Sequence, residues 1–324
     1  MLEKLVTVSS FAMVSVTSVA LAQPYPSKAI TIVVPAAAGG PSDTVARIIA
    51  PALAKEVKGS IIVENTGGAG GTIGAARVAR SPGDGYTLYL YHIAHSTWPA
   101  LYRSLPFDVV KDFEPIGLIN DVPMTLVSKK DLPAKDFNEL LAWIKANGKN
   151  VTIGNAGVGS ASHLCGLLFM QAIQTELTPV PYKGTAPAMN DLLGGQIDLM
   201  CDQTTNTTGQ IKAGKIKAYA VTTLTRLPTL QDVPTLNELG LKNFELSAWH
   251  GLWAPKGTPK PVIEQLSKGL QVAIKDPAVA QRFADLGAVP VSEASATPGA
   301  LQARVKSEIE RWGPIIKAAG QYAD

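Results

Sequence analysis

The chain has 324 residues, 46% hydrophobic and 17% charged, enough for one large domain or two of ordinary size. Its 29 basic and 26 acidic residues leave a formal charge of +3 with no Lys/Arg cluster, which argues against a nucleic-acid-binding face. A balance this mild still allows a local site for a small anion.

In chain order, residues 1–22 come first. They carry Lys4, an apolar stretch rich in hydroxyls, and Ala20-Leu21-Ala22 before Gln23. That is the pattern of a cleaved signal peptide. The stretch is short and broken by Ser and Thr, which disfavours a retained membrane anchor. The mature chain is expected to be soluble and periplasmic.

AITIVVP (29–35) is predicted as a strand, followed by a small-residue loop and a helix over 42–57, whose Val45, Ile48, Ile49 and Leu53 share one face. SIIVEN (60–65) is a second strand. The loop NTGGAGGT (65–72) reads as a tight connection with Asn65 in reach of a ligand, and a helix over 71–81 follows. YTLYLYHIA (86–94) is a strand after the turn PGDG. EPIGLI and MTLVSKK read as two further strands, then FNELLAWIKAN as a helix. The alternation continues through NVTIGN, HLCGLLFMQAI, TPVPY, APAMNDLLGG, IDLMC and KAYAVTT. A loop with Pro228 and Pro234, the strand GLWAP and two closing helices complete the chain. Such alternation predicts an α/β fold with a mostly parallel sheet.

Two units repeat: the strands 30–34 and 151–154 each run into a Gly/Ala/Ser loop and an amphipathic helix. They suggest two lobes joined by two crossings, near 121–123 and 245–247. Residues 23–122 and 247–324 would form lobe 1, and 123–246 lobe 2.

A strand that ends in a glycine-rich loop and opens a helix presents unpaired N–H groups at the positive end of a helix dipole, a site for an anion. Phosphate fits poorly. Gly40 is followed by Pro41-Ser42-Asp43 rather than Lys and Ser/Thr, so the phosphate-loop motif fails. The loops at Gly68 and Gly157 lack the third glycine of a dinucleotide fingerprint, and Asp43 would repel a dianion. A carboxylate, met by amides and by Ser42, Ser160 and Ser162, suits better. These residues are also ordinary helix N-caps. Two matched loops on opposite halves favour the ligand-binding reading, with each helix start holding one end of a dicarboxylate.

Catalytic signals are weak. His92 falls on a predicted strand and His95 just after it, where their spacing does not pair them as on a helix, and His163 and Cys165 do not share a helix face. Neither G-x-S-x-G nor H-E-x-x-H occurs. No enzyme activity, metal or cofactor is expected. His95 and His250 each follow a strand in the half bearing the first loop, which makes them candidates for ligand contact. Asp202 and Asn206 follow IDLMC and would lie in the crevice if that strand joins the sheet; a solvated turn is the alternative. Trp249 is expected in the core. Cys165 and Cys201 fit a disulfide in an oxidising compartment or two buried thiols equally well.

The chain resembles the substrate-binding receptors of tripartite tricarboxylate transporters, including the Bordetella uptake gene products. The matching stretches are YPSKAITIVVPAAAGGPSDTVAR, IIVENTGGAGGTIGAARVARSPGDGYTL, FDVVKDFEPIGLI, IGNAGVGSASHL, VPYKGTAPAMNDLLGGQIDLM and WHGLWAPKGTPKPVIEQL. They cover nearly all of the mature chain. The resemblance implies a two-lobed periplasmic binding protein of the Venus flytrap kind, expected to be monomeric, that hands a small carboxylate to membrane permease subunits. It implicates Ala38, Gly40, Ser42 and Asp43 in one lobe, and Asn155, Gly159, Ser160, Ala161 and Ser162 in the other. Asp202 matches an acid that meets an ammonium group in amino-acid-binding members. Ala36-Ala37-Ala38 stands where many relatives have an aromatic residue. The room this leaves, with the rings of 91–95 and 249–250, points to an aromatic dicarboxylate such as terephthalate over citrate. Two other roles stay open: a sensor docking on a membrane kinase, and an exported hydrolase using His95 or His250 with a serine.

Overall fold

The structure is a computed structural model that describes residues 25–320 and 322. The expected signal peptide at 1–22 lies outside the described residues.

Strand β1 (Ile30–Val34) is buried almost throughout, as an inner strand covered on both faces must be. Helix α1 (Pro41–Val57) starts at the extended Gly40 with Pro41 in its first turn, where a missing N–H loses nothing, and ends on a left-handed Lys58. Next come β2 (Ile61–Asn65), α2 (Thr72–Ala79), β3 (Thr87–His92) and α3 (Ala94–Leu101). A single strand of 17 residues, β4 (Phe113–Lys129), then spans both lobes. The second lobe holds α4 (Phe137–Asn147), β5 (Thr152–Asn155), α5 (Ala161–Ile173), β6 (Thr178–Pro181), α6 (Thr185–Leu193), β7 (Leu199–Gln203), α7 (Thr204–Lys212) and β8 (Ile216–Val221). The chain closes with β9 (Ser247–Pro255), α8 (Lys260–Ala273), α9 (Pro277–Asp285), β10 (Val289–Pro290) and α10 (Pro298–Ala319).

Each lobe is built on three parallel strands, β2-β1-β3 in the first and β6-β5-β7 in the second. Antiparallel strands complete both, so the sheet is mixed. β9 pairs antiparallel with β3 and β4; β7 and β8 pair antiparallel with the far half of β4. The partnership of β4 changes within one step: Pro123 is still opposite Ser247 of β9, and Met124 is opposite Gln203 of β7. The Thr222 hydroxyl stitches this crossing. It accepts from the Met124 N–H at 3.0 Å and donates to the Leu246 carbonyl at 2.6 Å.

One face of the first lobe's sheet buries Ile30, Ile32, Leu88 and Leu252 under α1, α8 and α9, with Leu53, Leu270 and Phe283 fully covered. Gly269 permits that contact, since a Cβ there would lie 3.1 Å from the Leu53 side chain. The other face carries Tyr89, Trp98, Trp253 and Trp312, continuous with the second lobe's Leu164 and Phe169. Each such buried side chain stabilises the fold by roughly 2 kcal/mol. Cys165 of α5 and Cys201 of β7 form a disulfide with a Cα separation of 5.8 Å.

Helix α10 was expected to belong wholly to the first lobe, yet its far end also reaches the second. Arg311 donates to the Glu245 carbonyl at 3.1 Å, and Ile315 and Ala318 face Leu167 and Met170 of α5 across an open groove of about 580 Å³. Among the described residues no helix is long and apolar enough to cross a membrane.

Candidate functional site

The groove just described is lined by Lys149, Gln171, Gln174 and Glu176 and by the start of β6, away from the loops at the strand ends. The ends of the parallel strands meet elsewhere, in a narrow cleft between the lobes. Its first wall is Pro35, Ala36, Pro41, Ser42, Gly68, Gly71, Tyr91 and His92; its second is Ala156, Lys183, Gly184, Thr185 and Gln203. The walls leave about 20 Å³, which suits a water or two and no larger body.

Four helices begin at this cleft: α1 at Pro41, α2 at Gly71, α6 at Gly184 and α7 at Gln203. None of these starts has a side-chain cap. Elsewhere α3 and α8 are also uncapped, whereas α4, α5, α9 and α10 are capped by Asp136, Ser160, Asp276 and Thr297. Uncapped starts keep their N–H groups free and aim the positive ends of their dipoles at one space. Lys183 adds a cation at the exposed rim. The cleft is built for negative charge.

The first loop is held from behind. Asp43 accepts from the Gly39 N–H at 2.8 Å and from Arg47 Nε at 3.0 Å, and Asn65 ties Arg47 to the Ala36 carbonyl. Burial pushes the Asp43 carboxyl up, but Arg47, Gly39 and Asn65 outweigh it and hold the group below the usual carboxylate range. Asp43 therefore braces the loop rather than facing the cleft. Ala38 sits at the exposed loop tip, and Gly40 is the extended residue before α1. Ser42 Oγ is 3.2 Å from His250 Nε2, whose Nδ1 is 3.0 Å from Asn120 Oδ1. His250 thus stands one step behind Ser42, fully buried.

The second loop is turned largely upon itself. The N–H groups of Ala156, Gly157 and Gly159 donate to Ser162 Oγ, Asn155 Oδ1 and His163 Nδ1. Ser160 caps the His163 N–H and touches Ser162 at 3.1 Å. Asn155, Ser160 and Ser162 thus stabilise the loop, Gly159 and Ala161 are buried beside them, and only Ala156 of this segment lines the cleft. The helix start facing α1 is that of α6. A Cβ on Gly184, at φ 137°, would lie 2.7 Å from the Ala37 Cβ, and one on Gly40 would lie 4.0 Å from Thr185. Sequence reasoning missed Gly184 and Thr185 because YKGTAP has a single glycine and no loop signature. A strand followed by Gly-Thr before a helix was the available signal.

The loop 65–72 is more than a connection. Tyr91 Oη, Trp98 Nε1 and Tyr102 Oη donate to its carbonyls at Gly70 and Ala69. These rings fix Gly68 and Gly71 against the cleft. His92 stacks on Tyr91 with centroids 4.0 Å apart, and its Nδ1 accepts from the Ala94 N–H. Burial lowers the His92 pKa to about 3, so the ring is neutral with its proton on Nε2. It is a donor in the cleft wall.

His95 is not brought to the cleft. It lies in the core, 4.6 Å from the Trp253 ring, with Nε2 on the Val109 carbonyl and Nδ1 near Tyr89 Oη. Its place on α3, rather than at the end of a strand, turns it inward. Trp249 is buried in the core. Asp202 is buried at the base of the second wall, behind Gln203, and accepts from Asn206 Nδ2 at 2.7 Å. Burial raises its pKa to about 7 despite bonds from Asn206 and Gln203. Gln203 Oε1 and the Thr204 and Thr205 hydroxyls are buried without protein partners.

The pattern of the tripartite tricarboxylate transporter family receptor matches residues 45–321. The chain belongs to that family. A solved periplasmic binding protein, BugD, is 51% identical to this receptor, covers 92% of it and 99% of its own length, and superposes with a TM-score of 0.90. MatC from Rhodopseudomonas palustris, solved with bound malate, is 39% identical over 90% of this receptor and 100% of itself, with a TM-score of 0.87. A second R. palustris protein, solved with adipate, is 33% identical over 91% and 98%, also with a TM-score of 0.87. This receptor accordingly has the periplasmic binding protein fold, and its structural neighbours at this level are solute-binding proteins.

Proposed function

We propose that the protein captures a short dicarboxylate between its lobes in the periplasm and delivers it, as a monomer, to membrane permease subunits. The observation that carries this reading is the convergence of four uncapped helix starts on one cleft, α1 and α2 from one lobe and α6 and α7 from the other. One carboxylate would meet Ser42 and the amides of Gly40 and its neighbours. The other would meet Gly184, Thr185 and Gln203. Asn155, Ser160 and Ser162 would act by shaping the wall, and Asp202 with Asn206 by setting its polarity from below.

Short aliphatic diacids are favoured over the terephthalate expected from the sequence. The rings of Tyr91 and His92 are stacked on each other rather than offering an open face to an aromatic ligand. The malate and adipate held by two similar structures are of this aliphatic class. Calorimetry against succinate, malate, adipate, citrate, terephthalate and benzoate tests the reading. A four- to six-carbon diacid should bind best, and benzoate binding equally well would refute a two-ended grip. Thr185→Asp should abolish diacid binding with no loss of melting temperature, because each charged hydrogen bond contributes roughly 1.5–3 kcal/mol.

A hydrolase reading has one observation behind it: Ser42, His250 and Asn120 line up in the order of nucleophile, base and orienting group. Turnover of p-nitrophenyl acetate that Ser42→Ala removes would establish it.

A further inference from the structure

Asn120 Oδ1, His250 and Ser42 Oγ form a chain of three polar side chains, all at most 2% exposed, from the crossing strand to the cleft wall. Such a chain has a direction. A neutral imidazole donates from one nitrogen and accepts at the other, so the group at one end dictates what the group at the other end can do. With Asn120 Oδ1 accepting from His250 Nδ1–H, Nε2 must accept the Ser42 proton. Ser42 is then committed to His250 and has only lone pairs for a ligand. A carboxylate facing those lone pairs would be repelled.

The same geometry holds the opposite direction equally well. Asn120 Nδ2 is buried and has no partner. A half-turn of the carboxamide exchanges Oδ1 and Nδ2 with no displacement of heavy atoms and gives that amino group an acceptor in His250 Nδ1. His250 then carries its proton on Nε2 and donates to Ser42 Oγ, which frees the Ser42 proton for the cleft. The ring stays neutral in either direction: burial, with His92 edge-on at 5.7 Å as the titratable neighbour, holds its pKa well below the usual value.

The geometry points to a relay from Asn120 through His250 to Ser42 that runs outward when a carboxylate is bound and makes the Ser42 hydroxyl a donor to it. Asn120 and His250 are then positioning residues, setting selectivity for an anion without touching it. The inference rests on the cleft being a carboxylate site. It also separates the receptor from the hydrolase reading, because a base that accepts the Ser42 proton needs the reverse tautomer.

The test uses the whole mature protein saturated with malate or adipate at pH 8. Two-bond ¹H–¹⁵N correlations of the His250 ring should show the proton on Nε2; a proton on Nδ1 in the bound protein overturns the relay. Calorimetry supplies the second arm. Asn120→Leu removes the amino donor that fixes the outward direction while keeping the side chain's size, so affinity should fall about tenfold. In a Ser42→Ala background the same change should alter affinity less than twofold, since Asn120 acts only through the hydroxyl. Additive losses would overturn the proposal, and the tautomer measurement stands even if a variant fails to fold. If the unaltered protein binds no diacid, the carboxylate reading falls with the relay. If it binds with the inward tautomer, only the relay falls.

Discussion

Asp202 shows how burial at one residue writes a pH dependence into the whole fold. Its carboxyl is pushed up to about 7, chiefly by desolvation, against about 3.9 in an unfolded chain. Between those values the folded state holds a proton that the unfolded state has released. Stability therefore declines as pH rises from about 4 to 7 and is level above that. Asp202→Asn keeps the bond from Asn206 and removes the charge, so it should leave the melting temperature near pH 4 almost unchanged and raise it by several degrees at pH 8. Calorimetric scans of both proteins at the two values decide this; a constant offset would exclude Asp202 as the source. Single residues were legible in the sequence only by type. Ser42 could be placed at a helix start before the cleft from Gly-Gly-Pro-Ser-Asp alone. That Asp43 faces backwards could not, because its role depends on Arg47 one turn along and on Asn65 from another strand. His95 and His250 looked alike in sequence, each after an apolar run. Only the packing of α3 against Trp253 sends one to the core, while the antiparallel pairing of β9 with β4 sets the other beside Asn120.

Among the elements, the strands and long helices followed their apolar periodicity, and the departures have local causes. β4 reads as two strands because the polar Asn120-Asp121 and Pro123 interrupt its apolar run, yet Pro115 lies at a register shift and Pro123 at the step where β4 passes from β9 to β7. α7, with the sequence TTNTTGQIK, has low helix propensity and no apolar stripe. It forms because Thr207 and Thr208 are buried and bonded, Thr207 to the Gln203 carbonyl and to Thr125, and Thr208 to the Leu286 carbonyl. The disulfide between α5 and β7 was one of two readings that sequence left equal, since residue spacing carries no Cα separation. It closes a loop across 36 positions, for which chain entropy gives roughly 4 kcal/mol. Denaturant unfolding with and without reductant should differ by about that amount, and coincident curves would show that the bridge constrains little.

At the scale of the molecule, the lobes meet through backbone. A Cβ on Gly70, at φ 60°, would lie 2.2 Å from the Val158 carbonyl oxygen of the opposite lobe. Gly70→Ala should therefore hold the lobes apart. Small-angle scattering should show a larger radius of gyration with ligand than the unaltered protein has, and diacid affinity should drop. An unchanged radius would mean that the loops slide past one another. The two-lobed plan was visible in sequence as a repeated strand–loop–helix unit, but the pairing of helix starts was not. The repeat suggested α1 opposite α5, whereas the sheet order sets α6 against α1.

One unbroken strand, β4, carries the chain from lobe to lobe, and its neighbours change partners without a gap in the ladder. Parting the lobes is then a twist spread along a torsion bar rather than a fold at a loose joint. No rung of β4 has to break for the lobes to part; what must yield are bonds at their rims, Thr97 Oγ1 to the Gly159 carbonyl and Arg311 to the Glu245 carbonyl.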